Sequence, residues 1–391
     1  MANLIANLKT EITSTTSNTM ANPVLERWRS YAGVSWDRPH QDNAPKTFSK
    51  SVNSPICGIH FDKSGRALVS TPRLISNELQ ATLSTLDINS KSGPALLTAF
   101  PSGERNAVLV KPDQSLRSVL GFYVDRSSDW LWALDMGYVA GETEAPPGAQ
   151  KVLVFDLQTG SMIKRIALDS ASDRQGSFLN DIAVDEHRRF GYISDSGLRS
   201  APDNMVGIIV VDFASGTARR VLHKHPSLQV VPGVKVFSHG GEVWPGNPMK
   251  LGINGIALSP DGNTLYWTVT TGLHAFSVST DLLRNSLSKD ADISSAVQDI
   301  GDVGGNTDGI VTNANGNLYI TDVTHGGIVK YDPLAKTMTL LASDAGVRWP
   351  DTPTIDGGGN LIFSSSNLNQ HFAGAIKSGE ERYELWRLKL R

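Results

Sequence analysis

Apolar and polar residues alternate with a period of two through most of this chain, in short runs broken by Asp, Asn and Gly. Six stretches carry one plan of strand, turn and strand: ICGIHFDKSGRALVS (56–70), VLGFYVDRSSDWLWALD (119–135), LNDIAVDEHRRFGYISDS (179–196), INGIALSPDGNTLYWTV (253–269), TDGIVTNANGNLYITD (307–322) and PTIDGGGNLIFSS (353–365). Such alternation predicts half-buried strands, and the Pro260-Asp261-Gly262-Asn263 step supplies turn geometry between two of them. A hairpin cannot bury both its faces alone. Copies spaced tens of residues apart must therefore pack on one another, the signature of a propeller or solenoid. Third strands are legible in KVLVFDLQTG (151–160), GIIVVDFASG (207–216), GLHAFSVST (272–280), GIVKYDPLA (327–335) and YELWRLKL (383–390). The prediction is an all-β chain: a six-bladed β-propeller occupying residues 23–391 as one domain.

Residues 1–22 read as a flexible leader. The segment LERWRSYAGVSWDRP (25–39) reads as an ordered arm on the ring, and the stretch that follows, to about residue 50, as the outer strand of the last blade. Pairing of N- and C-terminal strands in one sheet would remove the free edges of an open ring. DLLRNSLSKDADISSAVQ (281–298) has helical character and is expected on the rim of blade four.

Composition narrows the function. Among 391 residues the formal net charge is −3, so no basic field exists to hold a phosphate backbone and no nucleic-acid partner is expected. The single cysteine, Cys57, forms no intrachain disulfide and reads as a small buried hydrophobe. The first twenty residues lack the apolar core of a secretory signal, and no run of eighteen apolar residues predicts a membrane span. Cytoplasmic residence is the simplest expectation, although a leader trimmed from a secreted chain would leave the same sequence. There is no G-x-S-x-G elbow, P-loop or dinucleotide fingerprint. His223 and His225 read as a solvated strand end.

In a propeller the first strand of each blade lines a central channel, and the strand starts gather at one mouth. That geometry nominates Asn180, Asp181, Asn254, Thr307, Asp308 and Asp351. Loops reaching the same end add His325, Asn367, His371 and Phe372, and the loop HGGEVWPGNP (239–248) adds His239 and Trp244. Trp349 directly precedes a strand start, whereas Trp130, Trp132 and Trp267 sit within strand patterns and read as blade core. Asn and Asp at strand starts also serve as plain backbone caps. Their convergence on one mouth favours contact with a ligand or cation.

FLNDIAVDEHRRFGYISDSG, GIIVVDFASGTARRVLHKHPS and GINGIALSPDGNTLYWTVTTGLHAFSVSTDLLR resemble the major royal jelly/yellow protein family over roughly residues 50–390. That resemblance implies the six-bladed fold and leaves activity open, since propellers host unrelated functions. A wider resemblance is to gluconolactonase-like (senescence-marker) propellers, whose metal is held by a Glu, an Asn and an Asp. Asn254-Gly255 and Asp308-Gly309 match the second and third ligands, and Asn180 a substrate-side Asn. NSPICG (53–58) offers no carboxylate for the first, with Asp351 the available stand-in. No metal or cofactor is therefore expected; were a metal held, Asn254 and Asp308 would hold it.

The chain also resembles propellers of fungal biosynthetic pathways that act as hetero-Diels–Alderases, joining a quinone methide to a terpene alkene in tropolonic sesquiterpenoid assembly. The resemblance implies a cofactor-independent enzyme taking a hydrophobic small-molecule substrate. Thr307, Asn254 or His325 would then donate to the heterodiene oxygen, and Trp244, Trp349 and Phe372 would be walls. The alternatives are a non-catalytic binder of a small aromatic or amine ligand, and a metal-dependent lactonase or related hydrolase.

Overall fold

The computed structural model describes residues 23–36, 51–108 and 111–390. They form six sheets set around a central channel. The inner strands are Ile59–Phe61, Val119–Asp125, Leu179–Asp185, Ile253–Leu258, Thr307–Thr312 and Pro350–Ile355, in blades one to six. Each inner strand begins a sheet of antiparallel neighbours that runs outward, with one parallel pair at the outer edge of blade one. Six hydrophobic clusters fill the spaces between consecutive blades. Trp132 and Trp267 are fully buried in two of them, as their strand positions predict.

Blade six closes the ring. Its inner three strands, Pro350–Ile355, Asn360–Ser365 and Tyr383–Lys389, are completed by Leu25–Tyr31, with Leu25 opposite Leu388 and Tyr31 opposite Tyr383. The N- and C-terminal strands thus share one sheet, and the Trp-bearing arm supplies its outer strand, with Leu25 and Tyr31 buried at its two ends. Val34–Trp36 then crosses to blade one and pairs in parallel with Ala95–Ala99. The predicted leader and residues 37–50 lie outside the described residues. Between the third and fourth strands of blade four stand two short helices, Thr280–Arg284 and Asp290–Ser295, where helical character is legible. Among the described residues no helix is long and apolar enough to cross a membrane.

Five inner strands carry the same irregularity. The register slips by one residue between Val119 and Phe122, Leu179 and Ile182, Ile253 and Ile256, Thr307 and Ile310, and Asp351 and Pro353. A bulge of this kind re-aims side chains locally. It also brings neighbouring inner strands together. A Cβ on Gly121 would lie 2.5 Å from the Asn180 carbonyl oxygen, and one on Gly255 2.5 Å from that of Asp308. Glycine at these bulges is thus demanded by close approach.

Candidate active site at the hub

Aligning the blades gives one ring of equivalent positions, the residue after the first strand pair in five of them, Leu120, Asn180, Asn254, Asp308 and Asp351, with Cys57 matching them in the repeat of blade one. The Asn254 amide donates to Asp308 Oδ1 (2.6 Å) and Thr270 Oγ1 (2.8 Å), while the Trp349 indole donates to Asp308 Oδ2 (2.6 Å). Asn180 donates to Ser196 Oγ (3.1 Å). Thr307, one residue before Asp308, has a buried hydroxyl with no hydrogen-bond partner.

This ring is not the floor of an open cup at the strand starts. A seventh hydrophobic cluster covers it, built from Met136, Tyr138, Phe178, Met249, Trp349 and Leu368 among others, with Trp244 packed against its edge. Asn254, Thr307 and Trp349 are each no more than 3% exposed. The expectation of a mouth open above the strand starts is corrected accordingly. Apolar side chains from several loops meet there because each loop alone would leave them in water.

The open space lies toward the strand ends. A cavity of about 320 Å³ runs down the channel, lined by Asp181, Ile182, Ile256, Ile310, Thr352 and Pro353 at its inner end. Farther out it is faced by His60 and by the fifth residue of four other inner strands, Tyr123, Ala183, Ala257 and Val311. Tyr123 donates to Glu186 Oε1 (3.0 Å), and His60 Nδ1 meets Thr354 Oγ1 at 3.3 Å. Sequence reading missed His60 and Tyr123. Stacking the six repeats and following every second residue past the strand start would have found them.

Asp181 occupies the bulge position that is Gly121, Gly255 and Gly309 in other blades. Its Oδ1 accepts the Ile182 N–H (2.8 Å), and the carboxyl lies deep in the protein yet keeps surface open to the cavity. Burial pushes it up to about 7, with Asp351 adding to the rise and the Ile182 and Ile256 amides opposing it. Burial also raises Asp351 to about 6, and holds Asp308 well above the carboxylate range with Asp351 contributing. The Cys57 thiol is pushed up by burial and then by Asp351 and Asp308. Burial lowers His60 to about 3, so it is neutral across the physiological range. The hub therefore favours neutral forms throughout.

The remaining nominated residues are scattered. His325, half exposed, turns back onto Asp322 Oδ2 at 2.7 Å. His239 Nε2 meets the Val347 carbonyl. His371 is buried with Nδ1 2.9 Å from the Val52 carbonyl, against Tyr383. Phe372 is 41% exposed. Trp244 donates its indole N–H to the Asn369 carbonyl (3.0 Å) and, with Asn367, lines a separate cavity. The gluconolactonase-like resemblance implies a divalent ion, but the donor set does not fit one. Both Asp308 oxygens accept N–H groups, and among the described residues no three His, Cys, Asp or Glu gather as a metal-binding group.

A six-bladed ring with a closed polar hub defines the β-propeller class, and comparison supplies the family. The family described as Major royal jelly protein matches residues 117–391, and the chain belongs to it. It is 33% identical over 125 residues to dopaminechrome tautomerase of Drosophila melanogaster, covering 31% of this chain and 26% of that one. Major royal jelly protein 3 of Apis mellifera is 24% identical over 261 residues, covering 65% of this chain and 44% of its own. The chain thus spans less than half the length of these relatives. Among solved structures, a luciferin-regenerating enzyme superposes with a TM-score of 0.51 at 10% identity, covering 86% of this chain and 92% of that one; the likeness is one of fold.

Proposed function

We propose that the chain is a cofactor-independent enzyme acting on a small carbonyl-bearing substrate at the inner end of the channel. One observation carries this reading: the carboxyls of Asp181, Asp308 and Asp351 are held toward their neutral forms, and Asp181 lines a cavity. A carboxylic acid kept neutral near pH 7 can donate a hydrogen bond or a proton to a substrate oxygen. The cavity is of ligand size, and its isoleucine and alanine lining suits an apolar body.

In its finest form the reading is a hetero-Diels–Alderase joining a quinone methide heterodiene to a terpene alkene. Such a cycloaddition needs no nucleophile or redox centre. Holding two reactants in contact contributes up to roughly 7–11 kcal/mol, and a donor at the heterodiene oxygen lowers the barrier further. Asp181 is the donor best placed to meet a ligand. The test is product formation from a quinone methide precursor and a terpene alkene, followed by chromatography and mass spectrometry. Asp181→Asn should slow turnover about 100-fold; rate and stereochemical ratio equal to those without protein would refute the reading.

A second reading is supported by the same carboxyl and by similarity to a dopaminechrome tautomerase: proton transfer within a single substrate. Turnover without any alkene, with deuterium entering from solvent, would select it. Binding with no turnover of either kind would leave the non-catalytic binder. The lactonase reading is disfavoured by the engaged oxygens of Asp308.

A further inference from the structure

We infer that a second small-molecule site lies outside the hub on the strand-start face, and that it takes an aromatic hydroxy acid. A cavity of about 410 Å³ opens there between the small hairpin Phe237–Ser238/Gly241–Glu242 and the helix Leu368–Phe372. Glu242, Val243, Trp244, Pro245, Arg348 and Asn369 line it. It shares no lining residue with the channel cavity.

Two residues that line this cavity each carry a buried acceptor with no partner. Glu242 Oε1 and Asn369 Oδ1 have no hydrogen-bond partner, although Glu242 Oε2 takes Lys235 at 2.8 Å. Asn369 is 6% exposed. Leaving such groups unpaired is unfavourable, and a ligand hydroxyl would satisfy them. Arg348 supplies the complementary charge: it is exposed, and among the described residues its guanidinium has no ion-pair partner. An arginine fork suits a carboxylate. The Trp244 indole, tied at its N–H to the Asn369 carbonyl, and Pro245 provide the apolar surface between these poles.

The backbone points the same way. His239, Trp244, Trp349 and Asn367 all adopt left-handed conformations, with φ of 50°, 51°, 57° and 52°. Such conformations are uncommon for bulky residues and cluster where surrounding structure holds a site in place. Two of the four line this cavity, and the others sit in the loops beside it.

The probe is 4-hydroxyphenylacetate, titrated calorimetrically into the full chain beside phenylacetate, which lacks the hydroxyl, and 4-methylphenol, which lacks the carboxylate. The full probe should bind one to one, and each truncated probe about tenfold more weakly. Arg348→Met should weaken 4-hydroxyphenylacetate about tenfold and leave 4-methylphenol unchanged, while Glu242→Gln should leave phenylacetate unchanged. Arg348 is exposed, so its replacement leaves folding intact. Asp181→Asn should leave all three affinities as they are, which separates this site from the hub. Equal affinity for the three probes, no binding at all, or loss on Asp181→Asn instead of Arg348→Met would overturn the inference.

Discussion

The indole of Trp349 donates its N–H to Asp308 Oδ2 across 2.6 Å, tying the start of blade six to the inner strand of blade five. Trp349 belongs at once to the hydrophobic roof and to the polar ring beneath it. Replacing it with Phe keeps most of the apolar volume and removes the donor. Asp308 would be left with one oxygen unanswered, and its carboxyl would move still further toward the neutral form. Trp349→Phe should destabilise the protein by about 1–3 kcal/mol at pH 7, as read by urea unfolding. The loss should be much the same at pH 4, because burial already holds the Asp308 carboxyl neutral at pH 7. A loss that shrinks markedly at pH 4 would show Asp308 ionised at pH 7 and contradict the neutral hub.

Asp181 gives a pH dependence of definite sign. Its carboxyl rises from 3.8 to about 7 on folding, so the native state holds its proton more tightly than the unfolded chain. Stability from this group is complete below pH 4 and is lost as the pH climbs toward 7 and beyond. Asp351, raised to about 6, adds a loss of the same sign over a lower window. Asp181→Asn keeps an acceptor for the Ile182 and Ile256 amides and removes the ionisation. It should raise stability at pH 8 by a few kcal/mol, since each tenfold change in proton affinity is worth about 1.4 kcal/mol, and leave it unchanged at pH 4. Thermal unfolding at the two pH values decides it, and a variant less stable than the parent at pH 8 would contradict the proposed neutral carboxyl.

These two residues also mark how far the sequence could be read. Asn180, Asn254, Asp308 and Asp351 fall on one ring because a strand start is a local property, visible wherever alternation begins after a turn. The roof was legible only in part, through Trp244 and Trp349. Phe178 and Met249 come from separate loops and Leu368 from a short helix, and nothing local to any of them says they will meet. His325 failed to reach the hub for the opposite reason: Asp322, three residues away, offers its ring a local partner. The role of Asp181 depended on register. Only the slipped pairing places it at the bulge, where Gly121, Gly255 and Gly309 stand in three other blades.

Ring closure rests on Leu25–Tyr31, and Arg387 pairs with Glu26 there at 2.7 Å. Removing residues 1–31 would bare the edge of Tyr383–Lys389 and leave Trp386 without its cover from Arg27. Exposed sheet edges recruit other strands. The truncated chain should melt at lower temperature than the full chain by thermal unfolding and associate more strongly with rising concentration by light scattering. A monomeric truncation with an unchanged melting point would show that closure is dispensable.

Lys151 and Asp135 form an ion pair at 2.7 Å with both side chains wholly buried. Lys151 also donates to the Pro112 and Ala149 carbonyls, while Asp135 accepts the N–H groups of Arg117, Ser118 and Gly137. Asp135 thereby pins the turn that delivers Met136 and Tyr138 to the roof. Taking away one partner leaves an uncompensated buried charge, so Lys151→Met should cost about 3–5 kcal/mol. The consequence should reach the hub. Cys57 lies beneath that roof, fully buried and with its thiol pushed up by burial, so it should resist alkylation in the parent. In Lys151→Met, native-state labelling of Cys57 by iodoacetamide should accelerate about tenfold or more as the roof opens locally. A variant that loses stability while Cys57 stays as protected as before would show that the pair supports blade two without governing entry to the hub.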